Sequence, residues 1–173
     1  ERFDFANFGR AAYPVSKMGA VALVRQTFAD ALWWRDAQAA YAKKPAGQRR
    51  LSWEAGRAAL LGAVEGRETV VFEASDALSL LRAEKLAREL KLKARFVTAG
   101  DEYRIRDLVL ASKPDLIVRV DFPRPVRLDD DAEWQEVPLE RLSRFDRSPS
   151  NPRWLREAGA IFSDQNETLL AHV

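Results

Sequence analysis

Three apolar runs in the middle of the chain have the length and composition of β-strands. They cover residues 69–74 (Thr-Val-Val-Phe-Glu-Ala), 94–99 (Ala-Arg-Phe-Val-Thr-Ala) and 115–120 (Asp-Leu-Ile-Val-Arg-Val). Residues 76–91 and 102–113 lie between them and have helical spacing of apolar positions. Strands that recur with a helix between each pair are joined by right-handed crossovers and form a parallel sheet. The pattern therefore predicts an α/β fold with parallel strands and flanking helices.

A long amphipathic helix is predicted before the first of these strands. Apolar side chains recur at three- and four-residue steps from residue 18 to residue 41, and Ser16 is placed to cap the helix N-terminus. A second helix is predicted over residues 52–64. Residues 1–13 are rich in aromatic side chains and fit neither the helical nor the strand period.

The pattern after the third strand predicts two more helices and one more strand. A short helix is expected over residues 138–144, where a proline takes the first helical position. Residues 150–159 have a cap, a proline, an amphipathic turn and a terminal glycine, which together are typical of a helix. Residues 160–163 (Ala-Ile-Phe-Ser) are the fourth strand candidate.

The ends of the predicted strands are where function should be sought, because ligands of parallel α/β folds bind at the C-terminal ends of the strands. These ends read Glu73-Ala-Ser, Thr98-Ala-Gly-Asp-Glu and Asp121-Phe-Pro, without histidine or cysteine. A carboxylate placed like that of Glu73 can bind a metal or act as a general acid or base. The alternative is that Glu73 caps the following helix or pairs with an arginine.

Other polar and aromatic residues have structural explanations. Asp101 and Glu102 follow the second strand and are expected to serve the N-terminus of the next helix, where the helix dipole favours acidic residues. Trp33 and Trp34 lie in the middle of the long helix beside apolar neighbours. Core packing is expected for both, rather than a stacking platform for bases or sugars.

The composition of the chain mainly argues against certain classes of partner. With 173 residues, 47% of them apolar and 31% charged, the chain is long enough for one domain with a real core. The formal net charge is only +2, and Lys and Arg alternate with Asp and Glu, so no nucleic-acid partner is expected. Because no apolar run approaches the roughly 20 residues that a bilayer span needs, no membrane partner is expected either.

The chain contains no cysteine and a single histidine, His172. A disulfide, a thiolate metal site and a cysteine nucleophile are therefore excluded, and one histidine cannot supply the three or four protein ligands of a zinc centre. A Ser-His-Asp triad would require His172 to reach a serine. The chain by itself is expected to hold neither a metal nor another cofactor.

Several segments resemble bacterial imidazolonepropionase-related amidohydrolases. The most specific is the pattern of Tyr-Pro, Met-Gly, Arg-Gln and Asp-Ala within residues 13–31. The strand Val71-Phe-Glu-Ala74, the loop Ala99-Gly-Asp-Glu-Tyr and residues 148–159 fit the same group. The similarity extends from Tyr13 to about Asp164.

The resemblance implies a TIM-like (β/α)8 barrel and metal-dependent hydrolysis of C–N bonds, often in cyclic amides or peptides. It also implies a His-x-His pair on the first strand, one histidine each on strands five and six, and an aspartate on strand eight that handles the proton of the attacking water. Zinc or another divalent metal is accordingly expected in the parent protein.

The chain departs from this family pattern at the positions that carry the chemistry. It has no His-x-His pair; Glu73 stands where the histidine of strand five is expected, and Thr98-Ala-Gly100 replaces the histidine of strand six. Only Ser163-Asp164 resembles the motif of strand eight. The candidate catalytic residues are therefore Asp164 and Glu73, and no residue is assigned as a metal ligand.

The sequence predicts a single α/β domain over residues 1–173 that forms part of a TIM-like barrel. Because the chain opens at Glu1 without methionine and stops at Val173 without a cap, it is expected to be a fragment of a longer protein. Three functions remain open: part of a metal-dependent amidohydrolase, a degenerate barrel with a structural or interaction role, or a doubly wound ligand-binding domain. The fragment alone is expected to be inactive. Its expected partners are the rest of the parent chain or a second copy in a homodimer.

Overall fold

The computed structural model of the chain describes residues 2–4, 14, 16–119, 123, 137–157, 159 and 162–164. Within them, five strands form one sheet in the order β1-β2-β3-β4-β5, and every neighbouring pair is parallel. The strands are β1 (Arg2–Asp4), β2 (Val70–Glu73), β3 (Ala94–Thr98), β4 (Leu116–Val118) and β5 (Phe162–Asp164). The α-helices are α1 (Lys17–Lys43), α2 (Ala55–Ala59), α3 (Leu61–Val64), α4 (Ala77–Glu89), α5 (Arg106–Ser112), α6 (Leu139–Arg147) and α7 (Asn151–Glu157). Two short 3-10 helices cover Glu102–Ile105 and Ser148–Ser150.

The spatial order of the described strands follows their order in the chain. A doubly wound sheet reverses its strand order at a switch point, whereas a (β/α)8 barrel adds each strand beside the previous one. The prediction of an α/β fold with a parallel sheet and flanking helices is confirmed, and the order argues against the doubly wound alternative. Closure into a barrel is not seen among the described strands.

One face of the sheet packs against the helices. Val70 and Phe72 of β2 and Phe96 of β3 belong to the hydrophobic core, and Phe72 is fully buried. Phe72 and Phe96 are register partners, and their rings stack with 5.8 Å between centroids. Because successive side chains of a strand point to opposite faces, Glu73 lies on the face away from the helices.

Helix α1 supplies much of the helical side of the core. Its N-terminus is capped as predicted, since the Ser16 hydroxyl accepts a hydrogen bond of 3.1 Å from the N–H of Gly19. Its buried face contributes Val24, Phe28 and Ala31, spaced by four and three residues, to the hydrophobic core. None of the described helices is long and apolar enough to cross a bilayer.

Two features of the fold differ from the sequence prediction. Strand β1 lies within residues 1–13, where no period was detected, because a three-residue strand is too short to show an alternation. The helix predicted over residues 52–64 is divided into α2 and α3. At the break, the N–H of Leu60 bonds to the carbonyl of Arg57, three residues earlier, so the regular four-residue ladder is interrupted.

Candidate functional site

The C-terminal edge of the sheet brings together the ends of all five described strands. Asp4 ends β1 and is the register partner of Glu73, which ends β2. Asp164 ends β5 and is the register partner of Val118, which ends β4. Both catalytic candidates thus lie at the edge where parallel α/β folds bind their ligands.

Glu73 forms an ion pair with an arginine at this edge. Nη2 of Arg119 donates a hydrogen bond to Oε1 of Glu73 at 2.9 Å. The side chain of Glu73 is 14% exposed and that of Arg119 is 36% exposed. Arg119 follows β4 and Glu73 ends β2, so the pair crosses β3 on the face away from the helices. The alternative that Glu73 pairs with an arginine is what the structure shows.

Arg119 is the functional candidate that the sequence analysis did not single out. It lies in the run Leu-Ile-Val-Arg, which the pattern of apolar positions predicts only as part of a strand. Its Nε is buried and has no hydrogen-bond partner in the described part of the chain. The sequence does contain a feature that points to Arg119, because it is a charged residue at the end of an otherwise apolar strand. A cation at a ligand-binding edge needs an anionic partner.

Asp164 and Glu73 are not neighbours. Three strand spacings separate β2 from β5, which corresponds to roughly 14 Å along the sheet. The structure describes the backbone of Asp164 as the last residue of β5. A catalytic role for Asp164 stays a prediction.

The described residues of this edge do not fit a metal centre. Among them, no group of three or more His, Cys, Asp or Glu side chains is arranged to hold a metal ion. Glu73 is also engaged by the guanidinium of Arg119, which competes with a cation for the same carboxylate. His172 lies outside the described residues.

The loop after β3 holds a buried carboxylate that serves a different helix from the one expected. Oδ2 of Asp101 accepts a hydrogen bond of 3.0 Å from the N–H of Ala77, the first residue of α4. The expectation that Asp101 serves the next helix is therefore wrong, because the fold brings this loop against the start of α4. Burial raises the pKa of the Asp101 carboxyl, against the opposing effects of the Ala77 hydrogen bond and of Arg144 and Arg104.

Glu102 in the same loop is almost completely buried and ties the loop to α7. Its Oε2 accepts a hydrogen bond from Nδ2 of Asn151, and its Oε1 accepts one of 3.3 Å from the N–H of Gly100. Gly100 has a φ of +84°, which a residue with a side chain adopts only with strain. These bonds hold the β3 loop at the C-terminal edge, so Glu102 has a structural role.

The two adjacent tryptophans have different environments. Trp34 is 3% exposed, as predicted for a core residue. Trp33 is 55% exposed, so the expectation that it packs in the core is wrong. On a helix, neighbouring residues point about 100° apart, and only one of two consecutive side chains can face the sheet directly.

Comparison with known proteins supports a fold rather than an activity. No family model and no curated protein matches the chain. An amidohydrolase from Thermotoga maritima has a similar solved structure, with a TM-score of 0.61 and 14% sequence identity. The match covers 87% of this chain and 35% of the amidohydrolase, so the chain spans about a third of that protein's length.

Proposed function

We propose that the chain forms part of an amidohydrolase-like (β/α)8 barrel, and that the longer parent protein hydrolyses C–N bonds in cyclic amides or peptides. The observation that carries the proposal is the unreversed parallel strand order, together with the similarity to an amidohydrolase over 87% of the chain. The similarity is one of fold, and the activity is inferred from it.

The number of strands supports the alignment with the imidazolonepropionase-related group. That alignment assigns Glu73 to strand five, Thr98 to strand six and Asp164 to strand eight. The structure has Glu73 on β2, Thr98 on β3 and Asp164 on β5, with β4 alone between the last two. Strand β4 then takes the place of strand seven, and β1 that of strand four.

The metal expected in this family would need ligands from outside the described residues. Glu73 is held by Arg119, and the described side chains form no group able to bind a metal. We therefore assign Glu73 and Arg119 to the wall of the site, and keep Asp164 as the candidate for proton transfer in this part of the barrel.

A second candidate function is a degenerate barrel that does not catalyse and serves a structural or interaction role. It is favoured by the ion pair of Glu73 and Arg119, which takes the position of a metal-binding histidine in the family pattern. An internal ion pair stabilises the strand ends without any ligand.

A metal and activity assay of the parent protein distinguishes the two functions. The variants are Asp164→Asn and Glu73→Gln, and the control is Glu157→Gln, an exposed acid that pairs with Arg153 on α7. The enzymatic function is supported if the unaltered parent protein binds zinc and hydrolyses dipeptides or cyclic amides, and if either variant loses these properties while the control keeps them. Removing a catalytic proton-transfer group lowers the rate roughly 100-fold or more.

No bound metal together with no hydrolysis contradicts the first proposal and supports the second. For the chain of 173 residues alone we predict no hydrolysis, and measurable turnover by the purified chain would show this to be wrong.

We also propose that the outer strands are covered by the rest of the parent chain, or by a second copy when that rest is missing. Strands β1 and β5 each have one neighbour among the described strands. Unpaired strand edges favour association. The mass of the chain in solution tests this: a monomer at all concentrations contradicts the homodimer.

A further inference from the structure

Four cationic side chains lie at the end of α1 and on the turn that follows it, and they take part in no ion pair of the described residues. They are Lys43, Lys44, Arg49 and Arg50, and all four are exposed. By contrast, Arg25, Arg95 and many other arginines of the described chain are paired with carboxylates. Residues 43–57 contain five cationic side chains and one acidic side chain, although the net charge of the whole chain is only +2. This segment therefore has a net charge of +4, a value that residues 82–95 also reach with six cationic and two acidic side chains.

Two exposed tryptophans belong to the same part of the fold: Trp53 follows these cations in the chain, and Trp33 lies on α1 roughly 15 Å before Lys43. Trp53 is 73% exposed, and Trp33 is 55% exposed. One edge of Trp53 is held by the buried Trp34, with 5.6 Å between ring centroids and 72° between the ring planes. The guanidinium of Arg57 lies 5.8 Å from the ring centroid of Trp33. The aromatic rings are fixed by neighbours, yet much of their surface faces solvent.

This basic turn, defined as residues 43–53, projects away from the candidate functional site. At about 1.5 Å per residue, the 27 residues of α1 extend roughly 40 Å. The longest described strand has five residues, or roughly 17 Å. A helix between parallel strands runs back towards their N-terminal ends, so the last turns of α1 pass beyond that edge. Every residue from 42 to 50 is exposed, as expected for a projecting turn.

We propose that the basic turn attaches the protein to the surface of an anionic phospholipid bilayer. Unpaired Lys and Arg side chains are attracted to anionic headgroups, with each contributing up to about a fivefold gain in affinity. Tryptophan rings prefer the boundary between headgroups and acyl chains, because they combine a large apolar surface with one polar N–H. Surface attachment needs no spanning helix, so it replaces the expectation of no membrane partner, which rested on the absence of a span.

A projecting turn fits a bilayer better than a nucleic acid. Single-stranded nucleic acids are bound along basic grooves that follow the phosphate backbone. Residues 42–50, nine in a row, are exposed, which is the shape of a tip rather than a groove. A bilayer surface can be met by the cations of such a tip, with Trp53 behind them, beside Trp34 of α1.

The experiment is co-sedimentation of the chain with vesicles of phosphatidylglycerol and phosphatidylcholine in equal parts. Pure phosphatidylcholine vesicles serve as the uncharged control. We expect binding to the anionic vesicles only, with a loss of binding as salt rises, because salt screens charge. The double substitution Lys43→Gln/Lys44→Gln should lower the partition coefficient about 30-fold, since it removes two of the four free cations.

The matched control is Arg82→Gln/Lys85→Gln, which removes two exposed cations of α4 that form no described ion pair. It should change the partition coefficient less than about threefold, because these residues lie on the side of the helix layer. Trp53→Ala should lower it about tenfold through loss of apolar burial, and should reduce the blue shift of tryptophan emission on vesicle addition.

Equal losses in both double variants would contradict the proposal, because net charge rather than the basic turn would then control binding. So would the absence of vesicle binding by the unaltered chain. Binding of a single-stranded oligonucleotide without vesicle binding assigns the turn to nucleic acid and overturns the proposal. Trp53→Ala could disturb the packing of Trp34 and so the fold. The double lysine variant changes only exposed side chains, so it tests the proposal even in that case.

Discussion

The C-terminal edge of the sheet and the basic turn after α1 treat their charges in opposite ways. At the edge, Glu73 is paired with Arg119, and Glu102 is bound by Asn151. On the turn, Lys43 and its cationic neighbours are exposed and form no ion pair among the described residues. The difference teaches that position alone does not identify a binding surface. The C-terminal edge of the sheet lies where a catalytic site is expected, but its polar side chains form hydrogen bonds and ion pairs within the protein. The charged side chains of the basic turn remain available to bind a partner.

The largest effect should come from breaking the buried contact of the β3 loop. Replacing Asn151 with Ala leaves Oε2 of Glu102 without its donor in a site that is 1% exposed. We expect the free energy of unfolding to fall by about 2–3 kcal/mol, the cost of leaving a buried hydrogen-bond acceptor without its donor. Urea unfolding measures it, with Arg156→Ala on the exposed side of α7 as the control. A loss no greater than the control's would show that the network does not hold the loop.

A smaller effect is expected at the ion pair itself. Arg119→Gln removes the cation beside the largely buried carboxylate of Glu73 and should lower the free energy of unfolding by about 1 kcal/mol, because the partial exposure of Arg119 screens the pair. A double-mutant cycle with Glu73→Gln measures the coupling. A coupling near zero would mean that the pair is incidental and that Arg119 is free to bind a ligand.

The buried carboxylate of Asp101 should make a modest, pH-dependent contribution. Burial raises its pKa above the ordinary value of 3.8, so the folded state holds the proton more tightly than the unfolded state. Stability from this group is present below pH 3.8 and is lost as the pH rises through the raised pKa. Asp101→Asn cannot ionise and still accepts the bond from Ala77.

The unfolding free energy of Asp101→Asn relative to the unaltered protein should therefore increase with pH across that window and then level off. Thermal unfolding over a pH series measures the difference. A difference that stays constant with pH would contradict the raised pKa.

The smallest effect on stability is expected at the basic turn. Lys43→Gln/Lys44→Gln should leave the free energy of unfolding within about 0.5 kcal/mol, because exposed substitutions away from packed features are nearly neutral. The same variant is expected to lose vesicle binding. A stability loss as large as that of Arg119→Gln would remove the contrast between the two regions, since the turn would then also serve the fold.

The sequence was informative about the scaffold and much less so about the site. The strands of residues 70–118 and the cap at Ser16 were predicted, because alternation and capping are local properties that nearby residues decide. Strand β1 was missed, because its three residues acquire strand structure through pairing with β2. The pairing of Glu73 was predicted only as an alternative, and its partner Arg119 lies 46 residues away in the chain.

By itself, the sequence determined the α/β class, the parallel strands and the placement of Glu73 and Asp164 at strand ends. These follow from hydrophobic periodicity and from the handedness of crossovers, which depend on the order of residues. Only the tertiary structure decided that Glu73 meets Arg119, that Asp101 serves α4 instead of the next helix, and that Trp33 is exposed beside Trp34. The physical reason is that a charged or aromatic side chain contacts residues of strands and helices that are distant in sequence. The distances between these elements are set only when the whole chain folds.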